Sequence, residues 1–400
     1  MPPLSRSWPW LAGLFLCSLP FYYLDPLRLG LFALLCLAVL PAWLQQRPFA
    51  WSRAATAWAL WAGWAALSLA WSQRPDYTLS RLGNDVAAPL LLLGLFGFLG
   101  RLGPVWRALQ WAAAVMLAAI AALLLGNRAG LPIPLFYPGW LQDTPVASTA
   151  LVLLLPLLLP AWFSGRRALQ AVAALLFALA WLAADLVGNR MFWPAAGLGL
   201  GAGLLWKGWH DRAARRLAWG TLAAVALLFA IGFEAAALAK PASYTDARVQ
   251  GGAVALVAHS ERYEIWQFWW TQYLKQPWFG VGFGRYLPNM LYAELRPAAL
   301  PVSHVSHAHN LFFDVALQLG AVGLALFLCA CAQLARVALG AARRDRTACA
   351  VLLALLVGWL AKNLSDDGWQ DGWLWLAFSL FGAVAARIAV DEGDPSAGRP

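Results

Sequence analysis

Residues 310–335 read NLFFDVALQLGAVGLALFLCACAQLA, twenty-six residues carrying one charge, Asp314, and closed by Arg336. A helix rises 1.5 Å per residue and about 20 mainly apolar residues cross a bilayer core, so this run is long enough to span. Working outward, eleven more apolar runs bounded by charge, Pro or Gly lie near 8–24, 29–45, 54–71, 82–100, 108–126, 147–163, 168–186, 191–206, 217–234, 347–364 and 373–389. The composition agrees, with 62% hydrophobic and 12% charged residues, against roughly 45–50% and about 25% in globular domains. The sequence therefore predicts an all-α polytopic membrane protein of about twelve transmembrane helices. Its parts are helices 1–9 over 1–234, one large loop over 235–309, helices 10–12 over 310–390 and a tail over 391–400.

The net charge of +10 is spread in short clusters between apolar runs rather than gathered on one basic face, which argues for topology and against nucleic acid. Threading twelve spans puts seventeen Lys and Arg on one side, from Arg6 and Arg47 through Arg166–Arg167 and Arg212–Arg216 to Arg399. The short loops and span ends opposite carry six: Arg28, Arg74, Arg81, Arg128, Arg190 and Lys362. The positive-inside rule then expects both termini in the cytoplasm and the long loop outside. The apolar stretch after Arg6 lacks a small-x-small cleavage pattern and is read as a retained first span. Cys17, Cys36, Cys329, Cys331 and Cys349 all fall in apolar runs, outside any CxxC or Cys/His spacing, so neither a disulfide nor a zinc site is expected.

Within the loop, ERYEIWQFWWTQYLK (261–275) has helix character, with Trp266, Trp269, Trp270 and Tyr273 three and four residues apart, and Pro277 beyond its end. Such a stripe suits either a helix at the membrane interface or one packed on the span ends. Gly197, Gly199, Gly201 and Gly203 follow no strand, which excludes a dinucleotide fold; the Gly199–Gly203 spacing predicts close helix packing instead.

Ionisable groups near the outer ends of spans are costly and mark candidate cavities. They are Arg74, Arg81, Asp85, Asp185, Arg190, Arg262, Lys362, Asp366 and Asp367, with His304, His307 and His309 before the tenth span. A single arginine at a span end is more often snorkelling to headgroups. Three patterns shift that balance: Asn189-Arg190-Met-Phe-Trp between two spans, Ser260-Glu261-Arg262-Tyr-Glu-Ile-Trp266 running into Gln276-Pro277-Trp-Phe-Gly280-Val-Gly282-Phe-Gly284, and His307-Ala-His309-Asn310 opening a span that reaches Gly320 and Gly323.

In that order and spacing the chain resembles the bacterial O-antigen ligase and polymerase superfamily, specifically over about 185–325. The family's His, ten residues, Gly arrangement is met by His309 and Gly320. Its Arg, three residues, Leu arrangement is met in part, with Trp266 in the Leu position after Arg262. The resemblance implies a GT-C type architecture in the inner membrane, facing the periplasm. It also implies transfer of O-antigen from undecaprenyl pyrophosphate to lipid A-core, with membrane lipid and no nucleic acid as surroundings.

The chemistry can be tested against the residues. A glycosyl pyrophosphate is already activated, so no ATP or other cofactor is expected, but the departing charge needs stabilising. The outer loops hold no Asp-x-Asp pair for a metal, and arginine can bind phosphate oxygens bidentately. Arg190 and Arg262 are the pyrophosphate candidates and His309 the candidate base. Arg74, Arg81 and Arg285 are secondary phosphate candidates, His307 a secondary site residue, and Asp314 or Asp367 a group that orients base or arginine. Reading His304, His307 and His309 as a metal site is the weaker alternative. O-antigen polymerase and protein O-oligosaccharyltransferase share the donor chemistry. A flippase would normally show two similar halves, and the first half here has nothing like the long loop or the histidines.

Overall fold

A computed structural model describes residues 7–46, 53–136, 138–141, 143–238, 262–298, 305–340, 345–366 and 371–389. Among them every regular element is helical. In chain order the α-helices are α1 (Trp8–Ser18), α2 (Asp25–Gln46), α3 (Arg53–Leu67), α4 (Pro75–Leu82), α5 (Ala88–Leu99), α6 (Gly103–Arg128), α7 (Thr144–Leu154), α8 (Leu159–Trp162), α9 (Arg167–Val187), α10 (Phe192–His210), α11 (Arg215–Leu238), α12 (Arg262–Tyr273), α13 (Leu287–Tyr292), α14 (Leu311–Leu339), α15 (Arg346–Lys362) and α16 (Asp371–Ala389).

Each of the twelve apolar runs overlies one of these helices or a joined pair. By length and composition, seven helices among the described residues are long and apolar enough to cross a membrane: Tyr22–Gln45, Pro75–Leu99, Gly103–Arg128, Arg167–Val187, Arg215–Leu238, Leu311–Leu339 and Gly372–Ala389. The chain is thus a polytopic helical membrane protein. The first run, expected over 8–24, is α-helical only to Ser18, because Pro20 follows and cannot continue the hydrogen-bond ladder; its end, Tyr22–Leu24, is a 3₁₀ turn that leads into α2. The fourth starts earlier than its apolar run, at Pro75, which suits the first turn of a helix. Asp76 and Arg81 lie inside that helix, ahead of the apolar run over 82–100, which itself contains Asp85.

Close helix contact is made where side chains are absent. A side-chain carbon on Gly199 would stand 2.6 Å from the Ala354 carbonyl oxygen, and one on Gly203 2.5 Å from that of Ala350. The expected packing role of this pair is therefore met by α10 against α15, running antiparallel. Gly100 and Gly382 do the same for α5 and α16, with distances of 2.2 Å to Ala383 O and 2.3 Å to Leu93 O. Small residues matter more here than in water, since lipid supplies no hydrophobic drive between helices and van der Waals contact must do the work.

Two irregularities shape one end of the bundle. Gly83–Ala87 forms a π turn joining α4 to α5, an insertion that frees a backbone group; the Asn84 carbonyl accepts from Trp375 Nε1 at 3.2 Å. The second is inside α14, where Gly320 has φ 68 and ψ −173. The carbonyls released by this break all find donors. Leu317 O accepts from Val281 N (3.0 Å) and Gln318 O from Gly282 N (2.9 Å), while Leu319 O accepts from Trp64 Nε1 (3.0 Å). On the other side of the break, Ala321 N donates to Pro277 O at 2.7 Å. The loop PWFGVGFG (277–284) is thus seated in the break, and no side chain fits at its seat, since a carbon on Gly320 would meet the Trp278 carbonyl at 2.1 Å.

Candidate functional site

The α12 helix and the segments around α13 rest on the end of the bundle through a second apolar cluster built on Ile265, Phe268, Trp269, Val281, Leu287, Tyr292, Val305, Ala308 and Leu317. Trp269 is fully buried, whereas Trp270 and Tyr263 are exposed. The aromatic residues of 261–275 are therefore divided between a packed face and an open one. This packing brings Arg262 and the histidine turn to the same end as the break at Gly320.

The turn before α14 carries the histidines. His309 has φ 50, alone among the described non-glycine residues in having positive φ. The left-handed region costs an L-residue about 1–2 kcal/mol, and such strain gathers at functional sites. Asn310 caps α14 by accepting from Phe312 N (3.0 Å) and Phe313 N (3.1 Å), and its Nδ2 donates to Leu364 O at 2.9 Å. Leu311 N donates to Asn363 O at 2.9 Å. The start of α14 is so tied to the end of α15.

His307 lies between three groups. Its ring centroid is 3.9 Å from that of His309, its Nδ1 is 2.9 Å from Ser306 Oγ, and Arg285 Nη2 donates to its Nε2 at 3.4 Å. With Nε2 accepting, Nδ1 carries the proton and donates to the serine. Arg285 is buried and its guanidinium sits 4.9 Å above the Tyr286 ring.

Arg262 stands one helical turn before Trp266 on α12. Burial pulls its pKa down, and Asp366 offsets part of that shift, so the guanidinium remains a cation next to an aspartate. Asp366 also forms an ion pair with the buried Lys362 at the end of α15. Arg190 comes to this end with α10, separately from the hydrogen-bonded network around the histidines. The antiparallel α10–α15 contact sets the start of α10 beside the end of α15. Gly188 ends α9 at φ 69 and Asn189 Oδ1 accepts from Met191 N at 3.0 Å, so Arg190 is held in a two-helix corner. Burial lowers its pKa as well.

Arg81 and Asp85 pair through two hydrogen bonds, 2.7 and 2.9 Å, across the π turn, with Asp85 fully buried. Arg81 lies against the glycine loop: a carbon on Gly284 would be 2.7 Å from the Tyr77 ring and 3.5 Å from Arg81 Cγ. Arg74 lies at the exposed rim, 3.7 Å from Asp76. Asp314 is buried and accepts from Ala308 N at 3.0 Å. Asp367 and His304 lie outside the described residues.

The geometry gathers His307, His309, Arg285 and Asp314 in one network, with Arg262, Lys362 and Asp366 at the adjoining helix end. Arg81 shares the glycine loop with Arg285. Sequence reading passed over Gln318 and Ser68, which receive the amides of Gly284 (2.9 Å) and Phe283 (2.9 Å) and fix that loop. The available signal was polarity within apolar runs, two residues before Gly320 in the case of Gln318. Among the described residues no group of three His, Cys, Asp or Glu side chains is arranged to hold a metal ion. A cavity of about 490 Å³ lies elsewhere, lined by Phe21, Leu24, Ala119, Ala122, Leu123, Ile133 and Trp140, and contains no titratable group.

Residues 150–328 match the family model described as O-antigen ligase. The matched stretch runs from α7 into α14 and contains Arg190, Arg262, Arg285, His307, His309, Asp314 and Gly320. It supports the O-antigen ligase and polymerase superfamily read from the motifs. No curated protein matches the chain.

Proposed function

We propose that the chain is an O-antigen ligase, which transfers a polysaccharide from undecaprenyl pyrophosphate to a sugar hydroxyl of lipid A-core. The observation that carries this reading is the histidine turn. A strained His309 packs its ring against that of His307, which is bound to the buried Arg285, and Arg262 stands at the adjoining helix end. A base beside several fixed cations is what attack on a glycosyl pyrophosphate requires.

In this reading the acceptor hydroxyl oxygen attacks the anomeric carbon while its proton passes to His309. The new C–O bond forms as the bond from the anomeric carbon to the phosphate oxygen breaks, and undecaprenyl pyrophosphate leaves with the electron pair. Arg190 and Arg262 hold the pyrophosphate, with Arg285, Arg81 and Arg74 ranked behind them. His307, Asp314 and Asp367 complete the site. One in-line displacement inverts the anomeric centre, and no metal or other cofactor takes part. Transfer is therefore expected to continue in the presence of a chelator.

The reading also sets twelve spans in the bacterial inner membrane, with both termini cytoplasmic and the segment 235–309 in the periplasm. Span 1–9 residues 1–234, spans 10–12 over 310–390 and the tail 391–400 complete the division. The seventeen-to-six asymmetry of basic residues supports it.

The test is reconstitution of the purified protein with a lipid-linked glycan and either lipid A-core or a second lipid-linked unit. Transfer to lipid A-core is expected. Elongation of the lipid-linked chain instead would make the protein a polymerase, and glycan movement across the bilayer without transfer would make it a transporter.

A further inference from the structure

The residue that precedes His309 is held through both of its peptide groups. Ala308 N donates to Asp314 Oδ1 at 3.0 Å, and Ala308 O accepts from Trp266 Nε1 at 2.9 Å. Ala308 itself is fully buried. On the far side of His309, the Asn310 side chain caps α14 and reaches Leu364 O. With the carbonyl of the preceding peptide held by Trp266 and the residue that follows fixed in the cap of α14, His309 has little freedom to leave its unfavourable φ.

Trp266 occupies the position where the family arrangement has Leu, and Leu has no hydrogen-bond donor. It also lies four residues after Arg262, hence on the same face of α12. One indole therefore ties the helix that carries Arg262 to the turn that carries His309.

We propose that Trp266 is a positioning residue: it holds the Ala308 carbonyl while Asp314 holds the Ala308 amide, and so the two set the direction of the His309 ring and its register to Arg262. The inference rests on His309 being the base. If the clamp opens, the Ala308–His309 peptide can rotate toward negative φ and carry the imidazole away from the acceptor hydroxyl, while the arginines stay in place. A small misplacement of a catalytic group is costly in rate even when binding is intact.

The test compares Trp266→Phe, which keeps the ring and removes only the N–H, with wild type and with His309→Ala in the reconstituted transfer assay. Trp266→Phe is expected to lower kcat about 10- to 100-fold, leave KM for the lipid-linked donor within about twofold, and leave the unfolding temperature unchanged. Adding Trp266→Phe to His309→Ala should cause no further loss, since residues acting through one another are not additive. Asp314→Asn, which keeps the accepting oxygen, should restore most of the rate lost in Asp314→Leu. Wild-type kcat in Trp266→Phe, or an additive loss in the double variant, overturns the positioning role while leaving His309 as base. Normal turnover in His309→Ala removes the base itself and the inference with it. If Trp266→Phe lowers the unfolding temperature and raises KM together with the fall in kcat, the indole is structural and the proposal fails.

Discussion

The two ends of the helical bundle both pair charges but differ in how regular their backbone is. At the end of α10 that carries Lys207, charges are closed into pairs: Lys207 Nζ is 2.8 Å from Asp211 and 2.7 Å from Thr347 Oγ1. Asp345 there caps α15 through Thr347 N and Ala348 N and meets Arg387 Nε at 3.4 Å. These contacts lock α10, α15 and α16 together with regular helix ends. The other end has a π turn, a helix broken at Gly320, a left-handed histidine and several arginines set around one loop. The first pattern spends its polar groups on stability, and the second keeps them oriented at some cost in backbone strain. Substitutions should therefore separate turnover from stability according to the end they touch.

The largest expected effect is at His309. His309→Ala should lower transfer about 10²–10⁴-fold while its unfolding temperature stays close to wild type, because alanine keeps the Cβ and leaves the left-handed strain as it was. Near-normal turnover would break the comparison at its most important point. Next, Arg262→Ala and Arg190→Ala should each reduce donor use by roughly tenfold or more, since hydrogen bonds to charged groups contribute about 1.5–3 kcal/mol. The assay is kcat/KM against the lipid-linked donor, and unchanged values in both would return these arginines to headgroup contacts.

At the opposite end the signs reverse. Lys207→Met should destabilise the protein by about 1.5–3 kcal/mol, measured by thermal or denaturant unfolding in detergent, with kcat of the folded fraction unaltered. A fall in kcat without loss of stability would erase the distinction between the ends. The smallest effect concerns Asp211. Burial raises its pKa, but the hydrogen bond and charge of Lys207, with Ala214 N and Arg346, outweigh that and leave it lowered. A carboxylate whose folded pKa is depressed adds stability above its ordinary range, about 3.9, and loses it as pH falls through the folded pKa. Wild type should thus lose a small increment of stability in acid that Asp211→Asn does not lose.

The helices themselves were legible, because a bilayer admits little else and apolar runs of about 20 residues declare it. Gly199 and Gly203 were legible for a similar reason: a spacing of four in an apolar helix admits one use. The run Gly280, Gly282 and Gly284 was visible only as a motif. Its purpose depends on Gly320, about forty residues later, whose break supplies the carbonyls that the loop amides fill. The charged residues 76 and 81 hide the helix start at Pro75 from an apolar-run reading, because the cost of burying Arg81 is met by its pairing with Asp85, which periodicity does not reveal.

By itself the sequence determined the class of solvent, the apolar segments, the asymmetry of basic residues and the motifs that carry the family resemblance. These follow from local composition and spacing. Only the tertiary structure decided that His309 is left-handed, that Arg285 reaches it through His307, that Asp366 stands by Arg262, and that Trp266 and Asp314 hold Ala308 between them. Each of these joins separate elements, and the free energy of a hydrogen bond depends on atoms within about 3 Å in space, a distance that sequence separation does not encode.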